Sequence, residues 1–149
     1  MTQLENQAAT GADRPVKEPR TISSALIVED HPLFCDALML TLLLVADIHS
    51  VRTAHSIAEC LAALEAGAKP EVILLDLNLP DSDGLDSLLR VRNAAGEADI
   101  LIVSSITDSK IIGAAIEVGA AGYVPKHSQR AVFQAALRTI SEGRTFLPE

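Results

Sequence analysis

EVILLDLNLPDSDG, residues 71–84, sets four consecutive apolar side chains, Val72 to Leu75, directly ahead of an aspartate, Asp76. A run that apolar belongs inside a sheet, covered on both faces. A carboxylate at its end is costly to bury unless something pairs with it. Asp76 is therefore a turn residue, a metal ligand or a reactive group held at the mouth of a strand. The surrounding chain has to decide which.

On either side, short apolar runs alternate with helical spacings. SALIVED (24–30), IHSVRTA (48–54), VILLDL (72–77), DILIVSS (99–105) and GYVPK (122–126) read as strands. LFCDALMLTLLLV (33–45), SIAECLAALEAG (56–67), LDSLLRVRNAAG (85–96), DSKIIGAAIEVGA (108–120) and SQRAVFQAALRTISEG (128–143) read as helices. Pro32 precedes the first helix, Ser56 and Glu59 have the spacing of a capping box closed by Gly67, and Asp108 caps the fourth helix. Five strands alternating with five helices predict βαβ units, hence an α/β fold with a five-stranded parallel sheet and helices on both faces. Strands one, three and four, apolar almost throughout, belong at its centre. In the first helix, Phe34, Ala37, Leu38, Thr41, Leu42 and Val45 are expected to face the sheet. Met39, Leu40, Leu43 and Leu44 are apolar as well, on the side that should be wet.

Composition narrows the function classes. The chain has 149 residues, enough for one domain with a real core, and is 48% hydrophobic but only 3% aromatic, so that core is aliphatic. A net charge of -8 with scattered basic residues leaves no basic stripe for nucleic acid. Cys35 and Cys60 form neither a CxxC nor a zinc spacing and read as buried free thiols of a reducing cytoplasm. The first twenty residues lack the apolar stretch of a signal peptide, and ALMLTLLLVADI is too short to span a bilayer, so a cytoplasmic protein is expected. Residues 1–21, polar and without periodicity, are expected to be a disordered tail.

In open parallel sheets, ligands sit outside the carboxyl ends of the strands, where the winding reverses. The residues there are Glu29 and Asp30 after strand one, Asp76 after strand three, Ser104 at the end of strand four and Lys126 after strand five. Three carboxylates at one sheet edge repel one another. A divalent metal and an ammonium would relieve that repulsion; Lys126 can be the ammonium, and the oxygen-rich acids suit Mg2+. Such an arrangement fits phosphoryl transfer, with Asp76 as the nucleophile.

VEDHP (28–32), LLDLNLPDSDG (74–84), IVSS (102–105) and AAGYVPK (120–126) together resemble the receiver domain of two-component response regulators, over about residues 22–143. The opening EDHPLF and the ending EGRTFLP resemble most closely the NarL/FixJ subfamily, whose members usually carry a LuxR-type helix-turn-helix after the receiver. The resemblance implies a flavodoxin-like (βα)5 fold and a non-enzymatic signalling role. A sensor histidine kinase would phosphorylate Asp76 with Mg2+, switching a DNA-binding output domain absent from this chain. It implies Asp30 as direct metal ligand, Glu29 as the ligand reached through water, and the backbone carbonyl of Asn78 as a third. It makes Ser104 the switch hydroxyl, Tyr123 the switch aromatic and Lys126 the partner of the phosphoryl group, with Pro80 and Gly84 in the following loop. The subfamily also implies a homodimer through the first helix, the last helix or both, with the outer leucine stripe as its surface. Residues 144–149 would begin the linker. Two features depart from the family: His127 rather than proline follows Lys126, with Pro125 before it, and the acid pair is Glu-Asp rather than Asp-Asp.

Other readings are weaker. DSDG (81–84) is separated from strand three by Leu79 and Pro80, so it is not the strand-borne DxDG of aspartate-nucleophile phosphatases, and neither a general acid nor a substrate pocket is visible. As a calcium loop the segment fails, because Pro80 takes a ligand position and no Glu stands twelfth. No Gly-rich loop follows strand one, which argues against a P-loop or dinucleotide site. Asp81 and Asp83 read as loop acids, and His31 as a partly exposed loop histidine. A stand-alone receiver in a phosphorelay is the remaining alternative to the regulatory half of a transcription factor.

Overall fold

A computed structural model describes residues 17–45, 47–105 and 108–148. Its order is β1 (Ser24–Val28), α1 (Pro32–Val45), β2 (Ser50–Ala54), α2 (Ile57–Glu65), β3 (Val72–Leu75), α3 (Leu85–Ala94), β4 (Asp99–Ser104), α4 (Ser109–Val118), β5 (Gly122–Pro125) and α5 (Arg130–Ser141). The sheet runs β2-β1-β3-β4-β5 with every pairing parallel, so the ten expected elements and the expected fold are present.

Side chains alternate across a strand, and each central strand therefore feeds two cores. Leu26, Val28, Ile73, Leu75, Ile100 and Ile102 pack against α2, α3 and α4. Ala25, Ile27, Val72, Leu74, Leu101 and Val103 pack against α1 and α5. Strands covered on both sides can be apolar throughout, as β3 is; β2, at the edge, is mostly exposed. Cys35 and Cys60 are free thiols buried in these two cores, and burial pushes the Cys60 thiol up to about 11, which keeps it protonated and unreactive.

Caps match the residues expected to provide them. The Ser56 hydroxyl accepts from Glu59 N–H at 3.0 Å and the Asp108 carboxylate from Lys110 N–H at 2.8 Å. Glu59 reaches back one residue further than a capping box requires, to His55 N–H at 2.8 Å. The inner face of α1 differs from expectation: Cys35, Leu38 and Leu42 are the buried residues, and Ala37 is exposed. Phe34 and Met39 flank that core, because the helix is rotated toward α5. The side chain of Val45 lies outside the described residues.

At the end of the sheet away from the acid cluster, a segment preceding β1 is tied to the end of α5. Lys17 N–H donates to the Gly143 carbonyl at 3.3 Å and Arg20 N–H to the Ser141 carbonyl at 2.7 Å. The Arg20 guanidinium pairs with the carboxylate of Asp99, a buried residue that Lys17 Nζ also reaches at 3.1 Å. Residues 17–21, expected to be part of a disordered tail, are instead held in place, with Arg20 and Lys17 supplying the cations that a buried Asp99 requires; residues 1–16 lie outside the described residues. Beyond α5, Phe146 bridges to Gly122 at the edge of β5, with Tyr123 N–H donating to its carbonyl at 3.1 Å.

Gly143 has φ +86°, and a Cβ there would collide with the Lys17 carbonyl. Gly113, exposed in the middle of α4, has open space where a Cβ would go. Gly143→Ala is expected to cost about 1–2 kcal/mol from backbone strain alone, whereas Gly113→Ala gains roughly 0.5–1 kcal/mol. Urea unfolding followed by circular dichroism compares them, and equal stability of the two variants would mean that Gly143 does not hold its positive φ.

Candidate functional site

Strand register assembles the site. Val28 pairs with Leu75, so the next residues, Glu29 and Asp76, emerge side by side at the point where the chain order reverses. Both remain in the ladder: Glu29 N–H donates to the Ala54 carbonyl at 2.9 Å and Asp76 N–H to the Val28 carbonyl at 3.1 Å. Both side chains are 1% exposed. Leu77 and Leu79 turn into the core after Asp76 and leave Asn78 facing outward, which pins the loop above the sheet.

Two buried carboxylates in contact demand a cation, and β5 delivers one. Ser104 pairs with Pro125, Lys126 N–H donates to the Ser104 carbonyl at 2.9 Å, and the lysine side chain then crosses the end of β4. Its Nζ lies 3.2 Å from Asp76 Oδ2 and 3.1 Å from Glu29 Oε1. The ammonium also lies over the Phe34 ring, with Nζ 4.9 Å from its centroid. The other oxygen of Asp76, Oδ1, accepts from Asn78 N–H at 2.8 Å.

The two acids titrate in opposite directions. Burial pushes Asp76 up and the charge of Glu29 adds to it, against the Asn78 N–H and Lys126, so its carboxyl sits above the usual value. Burial acts on Glu29 too, but hydrogen bonds from His31 N–H, the His31 ring and Lys126 outweigh it and hold it below. Lys126 loses solvation, yet its two carboxylate partners raise it. The pair shares one negative environment in which Asp76 is the member more easily neutralised.

The acid cluster fits a divalent cation. One ligand atom from each of Glu29, Asp30, His31 and Asp76 lies within 4.8 Å of the others. Glu29 Oε1 and Asp30 Oδ1 are buried atoms without a hydrogen-bond partner, the condition a cation would relieve. Asp30, the nominated direct ligand, is the more open of the two acids.

The remaining nominated residues form a file leading inward from the pocket. Ser104 is fully buried, and its Oγ donates to Asn78 Oδ1 at 3.2 Å. Tyr123 is fully buried as well, its hydroxyl hydrogen-bonded to Ser104.

Three contributors escaped the sequence reading. His31, taken for a loop histidine, lies against both acids, with Nδ1 2.9 Å from Glu29 Oε2 and 3.3 Å from Asp30 Oδ1. Phe34 carried no signal beyond its apolarity. Asp81, read as a loop acid, caps a helix from a different segment: its carboxylate accepts from Ile57 N–H at 3.0 Å and Ala58 N–H at 3.1 Å. That clamp ties the loop above Asp76 to the start of α2.

Comparison with known proteins gives a consistent result. The profile of the family described as "Response regulator receiver domain" matches residues 25–138. The glycerol metabolism activator of Pseudomonas putida is 34% identical over 133 residues, which cover 83% of this chain and 56% of that protein. The nitrate/nitrite response regulator protein NarL of Escherichia coli K12 is 29% identical, over 89% of this chain and 60% of its own length. The chain thus spans a little over half the length of these curated relatives. A LuxR family DNA-binding response regulator from Silicibacter pomeroyi superposes with a TM-score of 0.75 at 30% identity, over 86% of this chain and 98% of that one. A response regulator from Burkholderia pseudomallei, solved with a phosphorylated aspartic acid, calcium ion and citrate, gives 0.69 at 26% identity, over 80% and 68%.

The Asp81 clamp is separable from the pocket. Its carboxyl is held below the usual value by the Ile57 and Ala58 N–H groups despite a small opposing effect of burial. Asp81→Ala should lower stability by about 0.5–1 kcal/mol, the lower part of the range for a helix cap because the group is exposed, while Asp81→Asn keeps most of the cap. A folded value below the unfolded 3.8 means the ionised cap contributes fully above that pH and is lost as pH falls through the folded value. Thermal melts of the three proteins at pH 7 and pH 3 check this; an Asp81→Ala penalty that does not shrink in acid would contradict it.

Proposed function

This chain belongs to the response regulator receiver domain family, and from that premise we propose that Asp76 accepts a phosphoryl group from the phosphohistidine of a sensor kinase. The observation that carries the reading is the Lys126 ammonium seated between the buried carboxylates of Asp76 and Glu29. Asp76 attacks phosphorus; the new P–O bond forms as the P–N bond breaks, and the kinase imidazole leaves with the electron pair and takes up a proton. Asn78 N–H and Lys126 hold the two carboxylate oxygens apart and orient them. Asp30 directly, Glu29 through water, Asp76 and the Asn78 carbonyl would hold Mg2+, which when bound neutralises charge on the transferring group. The phosphorylated aspartate and calcium ion of the Burkholderia relative support this assignment.

Phosphorylation then competes for Ser104. Its hydroxyl, given to Asn78 in this structure, turns to the phosphoryl oxygens, and the Tyr123 hydroxyl follows its partner. The consequence is a shift in the face made by α4, β5 and α5, a local charge event with a remote readout. The chain is in this reading a signal carrier rather than a catalyst, working in the cytoplasm. The full-length protein would pass the shift to a DNA-binding output domain following residues 144–149; this chain alone, at net charge -8, would not hold DNA.

The same reading includes a homodimer. Leu33, Leu40 and Leu44 are 85%, 61% and 66% exposed and fall with Ala37 on one face of α1, with Leu43 beside them. A contiguous apolar stripe of this kind suits a second copy, packed through α1 or the neighbouring α5.

Incubation with a small phosphodonor and Mg2+ should add one phosphoryl group by intact mass, and Asp76→Asn should add none. Equal labelling of the two proteins would refute the assignment. Sedimentation of Leu40→Glu/Leu44→Glu beside wild type should show the variant monomeric where wild type is dimeric; one common species with and without phosphodonor would remove α1 as an interface.

A further inference from the structure

His31 is mostly exposed, yet the ring nitrogen that could bind a metal is turned inward, to the two carboxylates after β1. Its backbone accounts for this. His31 N–H donates to Glu29 Oε2 at 2.9 Å, folding the chain back over the acid it follows. Pro32 then restricts His31 to extended geometry and opens α1. The imidazole is left as a flap over the acid cluster, with Nδ1 2.9 Å from the same Oε2 that the backbone holds.

Donor chemistry gives this placement its meaning. Carboxylate and carbonyl oxygens suit Mg2+ and Mn2+ alike, whereas an imidazole is a ligand of transition ions, so one nitrogen among the oxygens separates Mn2+ from Mg2+. Four candidate atoms within 4.8 Å of one another are close to the span of a shell with bonds of about 2.1 Å, whose opposite members stand about 4.2 Å apart. The pocket also contains, independently of the imidazole, a side chain 1% exposed with an oxygen that has no hydrogen-bond partner, Glu29 Oε1. Lys126 Nζ at 3.1 Å is close enough to attract that oxygen but does not hydrogen-bond to it.

We propose that His31 Nδ1 gives up to solvent the proton it donates to Glu29 Oε2 and becomes a metal ligand of this pocket, so that the receiver takes Mn2+ or a similar transition ion through one nitrogen and the carboxylates, and holds it more tightly than Mg2+. This deepens the function proposed above and rests on its assignment of a divalent cation to the acid cluster. His31 becomes the residue that sets which ion is preferred, and the carboxylates the residues that make any ion bind.

The test uses Mn2+ and Mg2+ with the whole chain and with His31→Ala, an exposed position whose truncation leaves the core intact. Calorimetric titration should show Mn2+ affinity falling at least about tenfold in the variant, with Mg2+ affinity nearly unchanged. Pulsed electron paramagnetic resonance of bound Mn2+ should show imidazole 14N modulation in wild type and none in His31→Ala. Mn2+ bound without nitrogen modulation, or equal losses for both ions, would overturn the role of His31 and leave the carboxylate site standing. If wild type binds neither ion, the metal assignment itself falls, and this proposal with it.

Discussion

The contact on which the site depends is the ammonium of Lys126 between the carboxylates of Glu29 and Asp76. Two carboxylates, each 1% exposed, cannot stand side by side at the end of a parallel sheet without a counter-charge. Removing a charge of this kind from water costs several kcal/mol per ion unless a partner and hydrogen bonds replace the solvent. Lys126 supplies the partner, Asn78 and His31 supply N–H donors, and the Phe34 ring lies under the ammonium. Even so, two buried acid oxygens, Glu29 Oε1 and Asp30 Oδ1, keep no hydrogen bond.

The same solution recurs at the opposite end of the sheet. Asp99, at the start of β4, is buried, and its partners Arg20 and Lys17 come from the segment before β1. In both places a carboxylate at a strand end is neutralised by a cation remote in sequence, 50 residues away for Asp76 and 79 for Asp99. These ion pairs close the two ends of an otherwise aliphatic core, where unpaired charge would be least tolerated. At the bottom this anchoring also fixes where α5 ends, since the Lys17 strand of chain lies against Gly143.

Between the two ends, polar contacts within the core are few, and the file from Asn78 through Ser104 to Tyr123 stands out. A buried hydroxyl must keep a partner, so a change at the pocket that draws Ser104 away leaves Tyr123 to find another. The packed aliphatic surroundings favour discrete arrangements over gradual ones, which suits a two-state signal. The route runs from the acid cluster toward β5, after which Lys126 follows directly.

What the sequence determined by itself was the architecture and the cast of the site. Continuous apolarity in β1, β3 and β4, helical spacing between them and the caps at Ser56 and Asp108 are local signals, and each produced its element. The strand-end rule then picked out Glu29, Asp30, Asp76, Ser104 and Lys126, because parallel strands must bring their carboxyl ends to one edge. Tertiary structure alone decided how these groups meet. The rotation of α1 about its axis, which buried Cys35 and exposed Ala37, follows from packing beside α5, and a helix apolar on most sides carries no periodic signal to fix it. Asp81 reaches the start of α2 across 24 residues of sequence, and Arg20 reaches Asp99 across 79. His31 was legible as a residue but not as a direction: only the turn fixed by its own N–H on Glu29 aims the ring at the acids. Side-chain direction depends on contacts between segments, and a linear pattern does not encode those contacts one residue at a time.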